Sequence, residues 1–380
     1  MNKRSVFTCI GCVAFALGAS AQTPRASGAD ASTGWLQCRQ VEQDSAARLA
    51  CFDRWVQKLQ AEAAPTQQPG AGPALAPTPV ALPAEPQPAA LPQADCRDRK
   101  YSTLSRFWEL ETGSDCGRFN IRGFHPISLS WAFADSINAQ PTSPTPGHTA
   151  DYTDYLRSEG RIQLSIRSKI GQGFLPLGNS VHRDSLWFAY TQQSYWQLFS
   201  TSLSRPFRIT DHEPELIYIV PTDAKLLLGW RLRYSGISLN HQSNGQPLPR
   251  SRSWNRTILM AGMEKDERFV VTARLWKRIP EETDTDDNPE ISDLVGRGEL
   301  GASWNVDKDN TLALTVRHSL SSTANGSFRI EWLRALGDEK YNRTGGLRLH
   351  VQLFSGYGDS LLDYNYHRTV LNVGLSLVDW

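Results

Sequence analysis

His241 and Ser243 stand two positions apart in a stretch where Ile237 and Leu239 occupy the same alternate positions, so on a strand all four point to one face. At ~3.3 Å rise per residue the two Cα atoms sit nearly 7 Å apart, within reach of an imidazole–hydroxyl hydrogen bond. A polar loop containing Gly and Pro follows from Asn244 to about Arg252, and the chain resumes with Asn255, Thr257, Leu259 and Ala261 in one register. A hairpin with Ser243 opposite Ser253 sets His241 opposite Asn255, and directly paired residues have Cβ atoms ~4.5–5.5 Å apart. Asn255 would then accept a hydrogen bond from the His241 ring and fix its tautomer, leaving the other nitrogen to take the Ser243 proton. This is nucleophilic acyl chemistry with an amide where the better-known triad has a carboxylate. The amide adds no charge to stabilise the imidazolium, so such a hydrolase leans on another positive charge at its oxyanion, and a bound cation supplies one. From spacing alone, His-x-Ser on a strand is far more often a polar edge pair. Position changes the balance: an ionisable His on a lipid-facing wall is expensive, and an acyl ester lying in the same lipid layer gives it a reason.

The elements that must present these residues are legible from about residue 101 onward as period-two alternation. Ile162, Leu164 and Ile166 alternate with polar residues, as do Leu186, Phe188 and Tyr190, and Phe269, Val271, Ala273 and Leu275. Leu312, Leu314 and Val316 continue the series, followed by Phe328, Ile330 and Trp332, by Leu347, Leu349, Val351 and Leu353, and by Val373, Leu375 and Leu377. Two architectures share this signature, a soluble sandwich and a barrel whose apolar face meets lipid. Several segments exceed the five or six residues usual in a sandwich and suit a bilayer crossing of ~9–11. Arg167, Arg231, Arg233, Arg274 and Arg348 fall on the interior side, where they suit a hydrated or salt-bridged lumen. The closing aromatic, Trp380, is common in outer-membrane barrels, although the alternation slips before it.

The 380 residues carry a net charge of +1, which excludes nucleic-acid binding by bulk charge. Twelve Trp suit a protein with one apolar and one wet side. Lys3 and Arg4 precede an apolar stretch from Val6 to Leu17, and Ala19-Ser20-Ala21 offers small residues, so a secretory signal over 1–21 is expected to leave after Ala21. Cys9 and Cys12 leave with it. Cys38, Cys51, Cys96 and Cys116 remain in an oxidising compartment, where disulfides are expected; of three pairings, Cys38–Cys51 and Cys96–Cys116 keep each bridge within one compositional region. Residues 22–60 form a small module with one helix candidate, in which Leu49, Phe52, Val56 and Leu59 recur at helical spacing. Residues 61–95 are a Pro/Ala/Gln tract that reads as an extended linker, and 96–380 hold the strands. The first module is expected to meet a periplasmic partner or peptidoglycan, which its residues do not name.

His241-Gln242-Ser243-Asn244-Gly245, followed by Ser251-Arg252-Ser253-Trp254-Asn255-Arg256, resembles the signature of the outer-membrane phospholipase A family. Thr191 to Leu198, Thr285 to Pro289 and Ser355 to Asn365 match the family in the same order, so the resemblance covers about residues 150 to 380. It implies an all-β fold, a twelve-stranded antiparallel transmembrane barrel in the bacterial outer membrane with the site on its outer wall. It implies a phospholipase A1/A2, with lysophospholipase activity, in which Ser243 is the nucleophile, His241 the general base and Asn255 the residue that orients it. It also implies a homodimer holding one Ca2+ per site, through the main-chain oxygen of Gln246, the hydroxyl of Ser251, Ser204 from the partner subunit and Asp287, with Gln192 bonding across the interface. Gln246 stands where the family usually has Arg, which a main-chain ligand tolerates. Leu248 replaces an acidic residue that helps hold calcium in the monomer. The run Asp284, Asp286 and Asp287 reads equally as a solvated loop. Two other classes stay open: a passive barrel or narrow channel, marked by conductance without hydrolysis, and a secreted β-sandwich, marked by extraction without detergent.

Overall fold

The computed structural model describes Cys38 and residues 45–62, 96–98, 100–176, 182–337 and 346–378. The expected signal peptide, the tract from residue 63 to 95 and Trp380 lie outside the described residues. The chain divides into two units, Met1–Glu85 and Pro86–Trp380. In the first, helix α1 (Ser45–Glu62) carries the helical spacing read from the sequence, with Leu49 and Val56 exposed, and a disulfide joins Cys38 to Cys51.

The second unit is a β-barrel. Its strands are β1 (Ile121–Gly123), β2 (Ile127–Ala134), β3 (Ser158–Gln172), β4 (Ser185–Trp196), β5 (Ile209–Lys225), β6 (Arg231–Ser243) and β7 (Ser253–Lys265). They continue as β8 (Phe269–Arg278), β9 (Gly298–Asn305), β10 (Asn310–His318), β11 (Gly326–Ala335), β12 (Leu347–Gly356) and β13 (Arg368–Leu377). From β2 onward each pairs antiparallel with the next in sequence and β13 returns to β2, so β2 to β13 close into twelve strands. The short β1 pairs with β3 on the edge that β2 also uses, further along the strand. Closure removes the unpaired edges that an open sheet would present.

The direction of the alternating faces decides between barrel and sandwich. Leu129, Phe188, Ile237, Leu239, Leu259, Leu275, Leu300, Ile330 and Leu375 are all exposed, whereas Arg161, Arg167, Glu215, Arg233, Ser238 and Asn240 are buried. Apolar outside and polar inside is the pattern of a strand crossing lipid. Among the described residues no helix is long and apolar enough to cross a membrane, and a closed barrel is the other structure that satisfies its own backbone there. Replacing Leu259, 61% exposed at the middle of β7, by Arg should therefore cost about 2–4 kcal/mol of stability in a bilayer. Urea unfolding from liposomes checks this, and an unchanged midpoint would place Leu259 away from lipid.

Three connections at one end are short (226–230, 266–268 and 306–309), while three at the other are long (135–157, 279–297 and 357–367). In outer-membrane barrels the long loops face the exterior. At their rim Trp131 stacks on Phe199 at 4.3 Å and on Phe133 at 5.5 Å, an aromatic cluster of the kind that sits at a membrane interface.

The interior is packed. At the short-turn end helix α2 (Thr103–Trp108) lies inside the barrel, and Trp108 meets Trp187 and Tyr234 edge-on at 5.6 and 5.8 Å. Glu109 accepts from Arg122 at 2.9 Å and pairs with Lys169 at 2.7 Å, and a disulfide from Cys96 to Cys116 encloses the segment. At the loop end Arg161, Arg208 and Arg368 interleave with Glu159, Asp359 and Asp363, all buried. Arg231 departs from its expected interior position. It lies exposed at the short-turn rim, where it opens β6 and pairs with Asp223 at 2.6 Å.

Candidate active site

β6 and β7 meet with Ser243 opposite Ser253 and His241 opposite Asn255. His241 Nδ1 lies 2.8 Å from Asn255 Oδ1. The other end of the amide is engaged as well, because Asn255 Nδ2 donates to Glu281 Oε1 at 3.5 Å. With the amide oxygen toward the ring, Nδ1 carries the proton and Nε2 is the basic nitrogen. Ser243 follows two residues after His241 on the same strand face. Among the described residues its hydroxyl makes no hydrogen bond, so the structure joins His241 to Asn255 directly and sets Ser243 one register step along the same face.

This face is the outer one. Leu239 is 55% exposed and His241 is exposed, while Ser238 and Asn240 turn inward and bond to Glu215 at 2.6 and 3.2 Å. A shallow cleft of about 290 Å³ is lined by Phe188, Leu216, Leu239, His241, Asn255 and Ile279. An apolar trough ending at a polar pair fits a chain-bearing ester.

His212, which the sequence reading missed, stands opposite Ser243 on β5. Its Nδ1 lies 2.7 Å from Tyr190 Oη, Tyr190 donates to Gln192 Oε1 at 3.2 Å, and Gln192 Nε2 donates to Ser194 Oγ at 3.2 Å. Gln192 thus belongs to a polar row on the outer wall that leads toward the nucleophile. The outward register of Thr210, His212, Pro214 and Leu216 was a readable signal. The alignment of β5 on β6 was not, since a register shift between Pro221 and Ala224 intervenes.

Of the residues that the family resemblance assigns to calcium, all of them on loops, the structure brings Ser251 and Asp287 together. Ser251 Oγ donates to Asp287 Oδ2 at 2.6 Å, and His148 Nε2 lies 2.9 Å from Asp287 Oδ1. The Gln246 N–H donates to Asn244 Oδ1 at 3.2 Å, and the Ser204 carbonyl accepts from the Trp196 indole at 2.6 Å. Asp286 bonds Arg278 at 2.6 Å, whereas Asp284 and Leu248 face solvent, so only part of the acidic run is a solvated loop. Among the described residues no group of three His, Cys, Asp or Glu side chains is placed to hold a metal. The assigned donors are hydroxyl, carboxylate and carbonyl oxygens, a set whose hardness suits calcium. Beside them burial pushes the Glu281 carboxyl up, and Asp286 and Asp287 add to this against the opposing pull of Arg278.

A model of the phospholipase A1 family matches residues 104–377. A putative phospholipase A1 of Neisseria meningitidis serogroup B is 34% identical over 285 residues, covering 73% of this chain and 71% of that protein. The chain belongs to the phospholipase A1 family. A phospholipase A1 of Escherichia coli K12 is 36% identical over 225 residues, 59% of this chain and 71% of that one. Among solved structures, the outer membrane phospholipase A of Escherichia coli superposes with a TM-score of 0.59 at 29% identity, covering 70% of this chain and 94% of that one. A calcium-bound dimer of the Salmonella typhi enzyme gives the same TM-score at 28% identity and the same coverage. This phospholipase A1 family member is accordingly a multi-pass barrel of the outer membrane.

Proposed function

We propose that the barrel hydrolyses phospholipid acyl esters, at both glycerol positions and in lysophospholipids, with Ser243 as nucleophile, His241 as base and Asn255 as its orienter. The observation that carries this reading is the 2.8 Å contact of His241 with Asn255 on the lipid-facing wall. Ser243 Oγ attacks the ester carbonyl while His241 Nε2 takes its proton, and Asn255 holds the imidazolium in place. The bond to the leaving alkoxide then breaks, and His241 returns the proton to that oxygen. Water, deprotonated by the same nitrogen, cleaves the acyl-serine and frees the fatty acid.

Ser251, Asp287 and the main-chain oxygen of Gln246, with the partner subunit's Ser204, would hold calcium. When bound, calcium supplies positive charge to the carbonyl oxygen as it becomes an oxyanion. Two copies meeting along the wall that carries Gln192 would complete that site and roof the cleft. Activity would then require pairing, which keeps the site silent until phospholipid is present to bind. Residues 22–60 serve as a separate periplasmic module on the linker 61–95.

Release of fatty acid from phosphatidylcholine in mixed micelles by the purified full chain tests this reading. A calcium chelator should lower the rate by a hundredfold or more, on the order of the loss when oxyanion stabilisation is removed, and excess calcium should restore it. Hydrolysis insensitive to the chelator would remove the metal. Conductance without hydrolysis would favour a passive barrel.

A further inference from the structure

We propose that Glu281 is a positioning member of this site, holding the Asn255 amide with its oxygen toward His241 and setting a negative charge behind the imidazole. The proposal rests on the triad reading above and deepens it. Backbone geometry places the residue. The β7–β8 ladder runs one step past Arg278, where Ile279 N–H donates to the Asn255 carbonyl at 2.8 Å. Pro280 follows with its fixed φ, and the period of two returns Glu281 to the side of Ile279, which lines the cleft with His241 and Asn255.

The chemistry follows from the contact of Asn255 Nδ2 with Glu281 Oε1. With only an imidazole as partner, an amide can bond either way round. Turned about, its NH2 would meet Nδ1 and select the tautomer that carries the proton on Nε2, which cannot accept one from Ser243. An ionised carboxylate only accepts, so Glu281 disfavours that orientation. It also provides the charge that an amide lacks, one group removed from the imidazolium that forms when His241 takes the proton. Arg278 lies 3.6 Å from Glu281 but 2.6 Å from Asp286, so its guanidinium is engaged chiefly elsewhere. The raised Glu281 carboxyl is consistent with this crowding. The other charged or titratable groups around His241 are His212 on β5, Glu213 and Glu215 behind it in the lumen, Arg256 on β7, Lys277 on β8, and Asp286 and Asp287 on the following loop.

The test compares pH–rate profiles of the full chain, wild type, Glu281→Gln and Glu281→Ala, on phosphatidylcholine micelles with calcium present. Glutamine keeps an acceptor for Asn255 and loses the charge, whereas alanine loses both. In both variants the acid limb should move to lower pH by roughly half a unit or more, because removing an anion makes the imidazolium easier to deprotonate. kcat should fall about tenfold in Glu281→Ala with little change in KM, and Glu281→Gln should recover part of it. NMR titration of His241 in Ser243→Ala, with and without Glu281→Gln, should show the same displacement without any turnover. Unmoved limbs and an unmoved titration, whatever the loss of rate, overturn the assignment and reduce Glu281 to a loop residue. An inactive wild type, or a Ser243→Ala chain that still turns over, would instead overturn the triad reading, so the two failures are told apart.

Discussion

Ser243→Ala is expected to abolish phospholipid hydrolysis, with a fall of roughly a thousandfold or more, because the acyl acceptor itself is gone. The folded protein should scarcely notice. Among the described residues the Ser243 hydroxyl has no hydrogen-bond partner, and the strand pairing that fixes its position is made by the backbone. The variant should keep the faster electrophoretic migration of an unheated barrel. A rate within tenfold of wild type would end the nucleophile assignment.

The second large effect concerns stability. Arg368 is fully buried at the loop end, where Asp359, Asp363 and Glu159 all lie within 4 Å of its guanidinium. Removing one partner from a buried ionic cluster strands the others, so Arg368→Ala should destabilise the barrel by about 3–5 kcal/mol. Arg231→Ala makes the control, since its pair with Asp223 is exposed and such pairs contribute ~0–1 kcal/mol. Equilibrium urea unfolding from liposomes separates the two, and equal midpoints would refute the role of the network. Burial would raise the Asp359 carboxyl, but Arg161 and Arg368 outweigh it and hold it well below the usual range. A depressed folded pKa means stability that is complete above the unfolded carboxylate value of ~3.9 and is lost as pH falls through the lower folded one. In Arg368→Ala that depression shrinks, so the variant should have less of this stability to lose in acid.

Much of this architecture was written locally. A period of two can be read within one strand, and Ile237, Leu239 and His241 share their outward face because no register shift interrupts them. His241 and Asn255 were legible as a pair because a single loop, 244–252, joins their strands and the pairing of Ser243 with Ser253 fixes which residues oppose. Arg231 misled because it opens β6 at the rim, where a long side chain reaches water and Asp223, and alternation does not tell the end of a strand from its middle. His212 escaped notice because its relation to Ser243 depends on the alignment of two strands through an irregular connection. Glu281 and His148 belong to loops beyond the alternating segments: Glu281 reaches Asn255 where the β7–β8 ladder runs out, and His148 reaches Asp287 from a loop between other strands. What remained hidden was long-range register and loop placement, which tertiary packing decides.

The filled interior has a consequence for traffic. Trp108 and its neighbours occupy one end and the arginine–carboxylate lattice crosses the other, so among the described residues side chains obstruct the barrel axis at both ends. With the site proposed on the outer wall, exchange would run sideways, within the leaflet that this wall touches. Encounter is then two-dimensional, governed by the mole fraction of phospholipid in that layer rather than by its bulk concentration. Lysolipid and fatty acid are shed into the same layer, where their shapes disturb packing, so each turnover alters the solvent in which the next one takes place.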